Sequence, residues 1–338
     1  MVSSSSPYAS SRRPTAQAAT TPQASLAALA PAADLIARVQ TLLSRLRPEQ
    51  RAAMRFAWDG REWRDWTYFG VGGFIKPGLR LEQMSRDQQN AAWNVMAAVL
   101  SPEGLEKARN VMLLQDILAA AGNGRGRRSS KRFSFALFGK PDVRGAWGLR
   151  LEGHHLSLSF AVVDGAVVSV TPAAFAALPN QVKSGRHRGL ITLDEEERLA
   201  RQIQRDLTPS LQARARVRAR HLFNIVSYAG RERANTAPVG LPVSDMTTGQ
   251  RDLLQRLVET YAIAPYAGAL RDAQKSRLAK ADMAGAHFAW YGPNVEGRSF
   301  GYRIIADQFV IELGCIDRRA QHLHPIYHDL GNTLGRPA

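Results

Sequence analysis

The sequence predicts an α+β protein: an antiparallel sheet built from two β blocks, about 132–171 and 285–328, with segregated helices packed around it. Three observations carry this prediction. Apolar residues recur at helical spacing in the stretches before each block. The blocks themselves are short β-branched and aromatic runs broken by Gly, Pro and Asp. Strand follows strand without an intervening helix, which argues against an alternating parallel sheet. The simplest assembly joins both blocks into one sheet, so that residues 33–338 make a single domain.

The first helix begins at Asp34, because Leu35, Ile36, Val39, Leu42, Leu43 and Leu46 fall three and four apart until Pro48 interrupts the pattern. A short helix through Met54 and Phe56 follows, and the Trp- and Gly-rich stretch "WDGREWRDWTYFGVGGFIKPGLRL" reads as an irregular connection. Two further helices come next. Ser85 caps one; the other has Pro102 in its first turn and Gly122 just past its end. A basic loop then leads into the first meander, "KRFSFALFGKP", "AWGLRLEGHH", "LSLSFAVVDG" and "AVVSVTPA". Helices return at "LDEEERLARQIQRDL", "TPSLQARARVRARHLF", "MTTGQRDLLQRLVETYAI" and "PYAGALRDAQKSRLAKA". The last strands are "GAHFAWYGP", "GRSFGYRII", "DQFVIELG" and "AQHLHPIYHD".

Residues 1–32 are rich in Ser, Ala, Thr and Pro and hold no acid, so they read as a disordered tail or a degenerate leader. Arg12 and Arg13 resemble a twin-arginine export signal, but no clean apolar run follows them. The expectation is a cytoplasmic protein with a flexible tail, and export through that leader is the alternative. No stretch approaches the length of a membrane span.

Composition narrows the chemistry. The single cysteine, Cys315, leaves no internal disulfide framework and no multi-cysteine metal cluster, so any metal must be held by nitrogen and oxygen. The formal charge of +16 invites a nucleic-acid reading, but it is spread over "NGRGRRSSKR", "KSGRHRG" and "QARARVRAR" with no zinc-finger spacing and no RNA-recognition signature. Specific nucleic-acid binding is not expected; "QARARVRAR" reads as a solvated helix face and "DEEER" as a charged helix N-terminus. Glycine-rich "GNGRGRR" follows a helix rather than a strand, without the setting of a phosphate loop, and no Gly-x-Ser-x-Gly elbow occurs.

Of eight histidines, His154 and His155 fall in the first β block, and His287, His322, His324 and His328 in the second. His322 and His324, two apart, share one face of a strand and offer two imidazole ligands. Glu312, the sole carboxylate of the apolar run "FVIEL", needs a partner if it is buried. His322, His324 and Glu312 are therefore candidate ligands for a divalent metal such as Zn, Fe, Mn, Ni or Cu, with His155 or His154 completing the shell or acting catalytically. In the competing structural reading, His154 caps a turn, His322 and His324 bond to backbone, and Glu312 pairs with Arg303.

The ordered set "FALFGKPDVRGAWGLRLEGHHLSLSFAVVDGAVVSVTP", "LDEEERLARQI", "HFAWYGP", "YRIIADQFVIEL" and "HLHPIYHD" resembles the bacterial and fungal family catalogued as domain of unknown function 3500, from about Trp63 to Asp329. "WTYFGVGGFIKPGLRLEQMSRDQQ" fits its early segment. The resemblance implies Glu where this chain has Gln115, Asn where it has Ser159, and an Arg-Asp pair where it has His328-Asp329. If Gln115 replaces a carboxylate that binds or orients something, this member has altered chemistry. From the histidines and Glu312, the expectation is a metal-dependent enzyme in which metal-activated water attacks a small-molecule or acidic substrate; with an open-shell metal the same set could instead activate oxygen. The alternatives are a binding protein that holds an acidic ligand in a basic cleft, and histidines that serve the fold alone.

Overall fold

The computed structural model describes residues 28–69, 76–124, 127–233 and 236–335. Among them lie nine α-helices and fourteen strands joined in one mostly antiparallel sheet, so the predicted α+β class holds and both β blocks share that sheet.

The chain runs β1 (Ala30–Pro31), α1 (Ala33–Arg45), α2 (Pro48–Met54), β2 (Arg55–Phe56), α3 (Arg61–Arg64), β3 (Leu79–Arg80), α4 (Arg86–Met96) and α5 (Pro102–Ala120). The first meander follows: β4 (Ser134–Phe138), β5 (Ala146–Gly153), β6 (Leu156–Val163), β7 (Ala166–Ser169) and β8 (Ala173–Phe175). Next come α6 (Asp194–Asp206), α7 (Pro209–Ala215), β9 (Arg216–Arg218), β10 (Leu241–Pro242), α8 (Thr248–Ala262) and α9 (Gly268–Ala279). The chain closes with β11 (His287–Tyr291), β12 (Gly301–Ile305), β13 (Phe309–Cys315) and β14 (Leu323–Asp329).

Three boundaries depart from the sequence reading. The short helix expected through Met54 and Phe56 ends at Met54, and Arg55–Phe56 pairs with β4 as a strand. The packed body begins before residue 33: Ala30–Pro31 pairs with β7 and Leu29 is buried. The arginine-rich helix stops at Ala215, and Arg216–Arg218 becomes an edge strand running parallel to Trp290 and Tyr291. Helical propensity loses there to the open edge of β11, whose backbone groups need partners.

The central strand order is β10-β11-β12-β13-β14-β8-β6-β5-β4-β2, with β3 also on β4 and β9 also on β11. Read outward from the middle it is a palindrome, and the chain repeats itself accordingly. Each half has a helix, a short helix opening on proline, two short strands, a capped helix, another helix and a three-strand meander. The capping is repeated atom for atom. Ser85 with Gln88 and Thr247 with Gln250 form capping boxes, and Gln88 Nε2 and Gln250 Nε2 each donate at 2.7 Å to the last residue of α1 and α6, at the Arg45 and Asp206 carbonyls. The halves meet where β14 pairs with β8, Tyr327 opposite Ala173, and where Leu100 bridges Tyr266.

The strands are buried on both faces. In β4, Phe135 and Leu137 pack among α1, α4 and α5, while Ala136 and Phe138 meet Trp63, Trp66 and Tyr68 on the other face. That second face is paved with small residues. A Cβ on Gly148 would lie 2.7 Å from the Trp63 ring, one on Gly301 2.6 Å from the Leu222 side chain, and one on Gly314 2.7 Å from the Asn224 backbone. Their absence lets two segments, 57–69 with its one-turn α3 and the irregular 219–227, lie flat on the sheet, and it is there that the histidines gather.

Candidate metal centre

His154 and His155 are the two residues of the turn joining β5 to β6, with Gly153 paired to Leu156 on either side. Strand alternation therefore does not apply to them. His155 takes a left-handed φ of 73°, which a non-glycine residue rarely adopts, and is held there because its N–H donates to the Tyr68 carbonyl at 2.7 Å and its own carbonyl accepts from Ala176 N–H at 2.7 Å. The two imidazoles lie 3.7 Å apart, centroid to centroid. His155 is 1% exposed.

His322 ends the loop before β14 and His324 lies on that strand opposite Gly314. Asp317 shapes the loop by accepting from the Gln321 and His322 N–H groups at 3.0 and 3.2 Å. From opposite halves of the molecule, three Nε2 atoms converge: His155 to His322 at 3.1 Å, His155 to His324 at 3.3 Å and His322 to His324 at 3.0 Å. These three side chains form a group that could hold a metal ion.

The orientation of His324 is set by its neighbours. Asn224 Oδ1 accepts from the Ile225 backbone N–H at 2.8 Å, which identifies that atom as the amide oxygen, so His324 Nδ1, 3.0 Å away, must be the donor. Tyr68 Oη also donates to this oxygen, at 3.1 Å. A neutral His324 therefore turns a bare Nε2 lone pair towards the other two rings. Tyr68 and Phe69 close over the ring, with centroids 5.0 and 5.9 Å from that of His324.

Burial keeps these imidazoles neutral. It pushes His322 down to about 4 despite the opposing charge of Asp317, and His154 to about 3, helped by the cation of Arg128. His155 and His324 are also lowered, by burial first and by the neighbouring imidazoles second.

His154 belongs to the outer layer of the cluster. Its Nδ1 lies 2.7 Å from Gln115 Oε1 and 2.6 Å from Arg128 Nη1, and Arg128 Nη1 also donates to Gln115 Oε1 at 3.0 Å. Nδ1 can donate to the amide or accept from the guanidinium, but it cannot do both.

Glu312, expected beside His322 and His324 as a ligand, is not in the converging group. Fully buried, it accepts from Arg303 Nε at 2.9 Å, Val226 N–H at 2.7 Å, Ser227 N–H at 3.1 Å and Ser227 Oγ at 2.9 Å. These are four donors for two oxygens, and what they hold is the segment carrying Asn224. His328 also lies apart, buried with its Nε2 3.0 Å from the Ser227 carbonyl and its ring against Trp66. His287 is far along the sheet on β11, between β10 and β12 and next to the Gly285 carbonyl.

Sequence reasoning missed Asn224, Tyr68 and Arg128. Asn224 and Tyr68 lie in stretches without periodicity, and Arg128 is one of several arginines in a basic run. Only Gly314, a glycine inside a strand, signalled that another backbone comes close.

No curated protein and no solved structure matches this chain. A family profile described as protein of unknown function (DUF3500) matches residues 28–335. The chain, with its buried three-histidine group, therefore belongs to the DUF3500 family, as the ordered motifs around the two histidine pairs led one to expect.

Proposed function

We propose that the protein is a metal-dependent enzyme in which His155, His322 and His324 bind one divalent ion through Nε2. The observation that supports this most is the triangle of nitrogens. Three mutual N···N contacts of 3.0–3.3 Å would need three N–H···N bonds, yet Nε2 of His324 carries no proton, and a protonated Nε2 has no lone pair to accept with. No arrangement of protons satisfies all three contacts, whereas one cation does. Ligand nitrogens about 2.0–2.1 Å from a tetrahedral ion are about 3.3 Å from one another, close to the separations here. The purely structural reading of the histidines leaves this triangle unexplained.

Three neutral imidazoles suit Zn, Fe, Mn, Ni or Cu and leave coordination positions for water and substrate. Water bound to such an ion has its pKa lowered to about 7, making a nucleophile for hydrolysis. In this arrangement His155 is a ligand, not a proton carrier. His154, with its weakened basicity, serves by hydrogen bonding, and Glu312 braces the Asn224 segment that orients His324.

The test is elemental analysis of the untagged protein beside the His322→Ala/His324→Ala double variant. Near-stoichiometric metal that disappears in a folded double variant supports the reading. Absence of metal from both, even after incubation with each candidate ion, overturns it.

A further inference from the structure

We infer that the substrate presents an oxyanion, carboxylate or phosphoryl, and that Arg128 binds it beside the metal. This rests on the proposed metal centre and names what that centre would take. A divalent ion held by three neutral imidazoles keeps its full double positive charge, since no carboxylate belongs to the ligand set. Two acids of the surrounding segments hold backbone and serine donors, Glu152 with its Oε2 left buried and unpartnered. Asp317 is held by two backbone N–H groups, and Glu152 Oε1 by Thr67 N–H at 2.5 Å and Ser157 Oγ at 3.1 Å.

Arg128 adds a second cation to this neighbourhood. Half-buried, it makes its contacts among the described residues with an amide oxygen and an imidazole nitrogen, both uncharged, and no carboxylate there pairs with it. The residues outside the described set include no Asp or Glu. It lies against His154, whose ring centroid is 3.7 Å from that of His155. A partly desolvated guanidinium without a counter-ion is costly unless an anion completes it, and its planar fork suits carboxylate and phosphoryl oxygens. Only Nη1 is used by Gln115 and His154. Nε and Nη2 make no hydrogen bond among the described residues and are free to donate to an incoming anion. An oxyanion shared by Arg128 and the metal would answer both charges. It would also draw the guanidinium from His154 Nδ1, leaving that nitrogen to donate to Gln115.

Full-length protein reconstituted with cobalt(II) would be titrated with inorganic phosphate and, separately, acetate at constant pH and ionic strength, following the visible cobalt absorption. The expected result is a saturable spectral change with at least one anion, weakened about 10- to 100-fold in Arg128→Gln, as loss of a charge-assisted hydrogen bond implies, with cobalt stoichiometry unchanged. Arg128→Lys, which keeps the charge without the fork, should fall in between and serves in its place if Arg128→Gln does not fold. Response to one anion alone names the group. No response to either, or equal response in the Arg128 variants, overturns the inference while leaving the metal centre intact. Failure of the wild type to bind cobalt overturns the metal centre, and this inference with it.

Discussion

At the scale of single residues, the site is organised by tautomers and desolvation. Asn224 Oδ1 accepts a hydrogen bond from His324 Nδ1 and so leaves Nε2 bare for the proposed ion, and Asn224→Ala should weaken metal binding about 10- to 100-fold, the usual effect of removing a group that orients a metal-bound imidazole. Competition against a chromophoric chelator reads this directly, and an unchanged affinity in the folded variant would refute the assignment. Acid should also unsettle the metal-free protein. His322 titrates at about 4 and His154 at about 3 in the fold, against an ordinary 6.5, so between those values the unfolded chain binds protons that the native one refuses. Their contribution to stability is present above pH 6.5 and is lost as pH falls towards 4 and then 3. Thermal midpoints measured in excess chelator should decline across that window, with a shallower decline in His322→Asn. Parallel curves for the two proteins would contradict the assignment.

At the scale of elements, the hairpin turn and the two segments lying on the sheet decide what the strands can do. The His-His pair was legible as a feature, but its geometry was not. The rule that neighbours on a strand point apart fails at a turn with positive φ, and so both rings reach the same side. Glu312 illustrates the opposite limit. Its burial could be read from "FVIEL", and Arg303 was weighed as its partner, but the Val226 and Ser227 N–H groups that complete its bonding come from a segment 85 residues away. Glu312→Gln should cost about 3–5 kcal/mol in stability, the usual result of breaking a buried ion pair, while whatever remains folded keeps its metal stoichiometry. Denaturant unfolding with metal analysis separates the two effects. Loss of metal from a normally stable Glu312→Gln would return Glu312 to the ligand set.

At the scale of the whole molecule, the palindromic sheet places the candidate centre across its two halves. His155 comes from the first meander and His322 and His324 from the end of the second, so the ion would tie the halves together. Metal at about 100 times its dissociation constant should add about 2.7 kcal/mol to the folding of the entire body. Scanning calorimetry is expected to show one transition moving upward with metal. Two transitions, of which metal moves only one, would mean that the halves unfold independently. The duplication was present in the sequence, as "GLRLEQMSRDQ" against "GLPVSDMTTGQ" and "FALFG" against "FAWYG", but few identities survive. The repeat is plain only once Gly78 and Gly240, both at positive φ, are seen packed against the Phe135 and Phe288 carbonyls.

What the sequence determined by itself was the class of the protein. Apolar periodicity and turn residues are local signals, and they were enough for an α+β fold, for the helix starts at Ser85 and Pro102, and for histidines in both β blocks. Tertiary structure alone decided which of these histidines meet. The path of residues 219–227 over Gly314, the turn at His155 and the meeting of β14 with β8 are set by packing between distant parts of the chain. A metal centre needs nitrogens matched to within a few tenths of an ångström, and spacing along one strand supplies only two of the three.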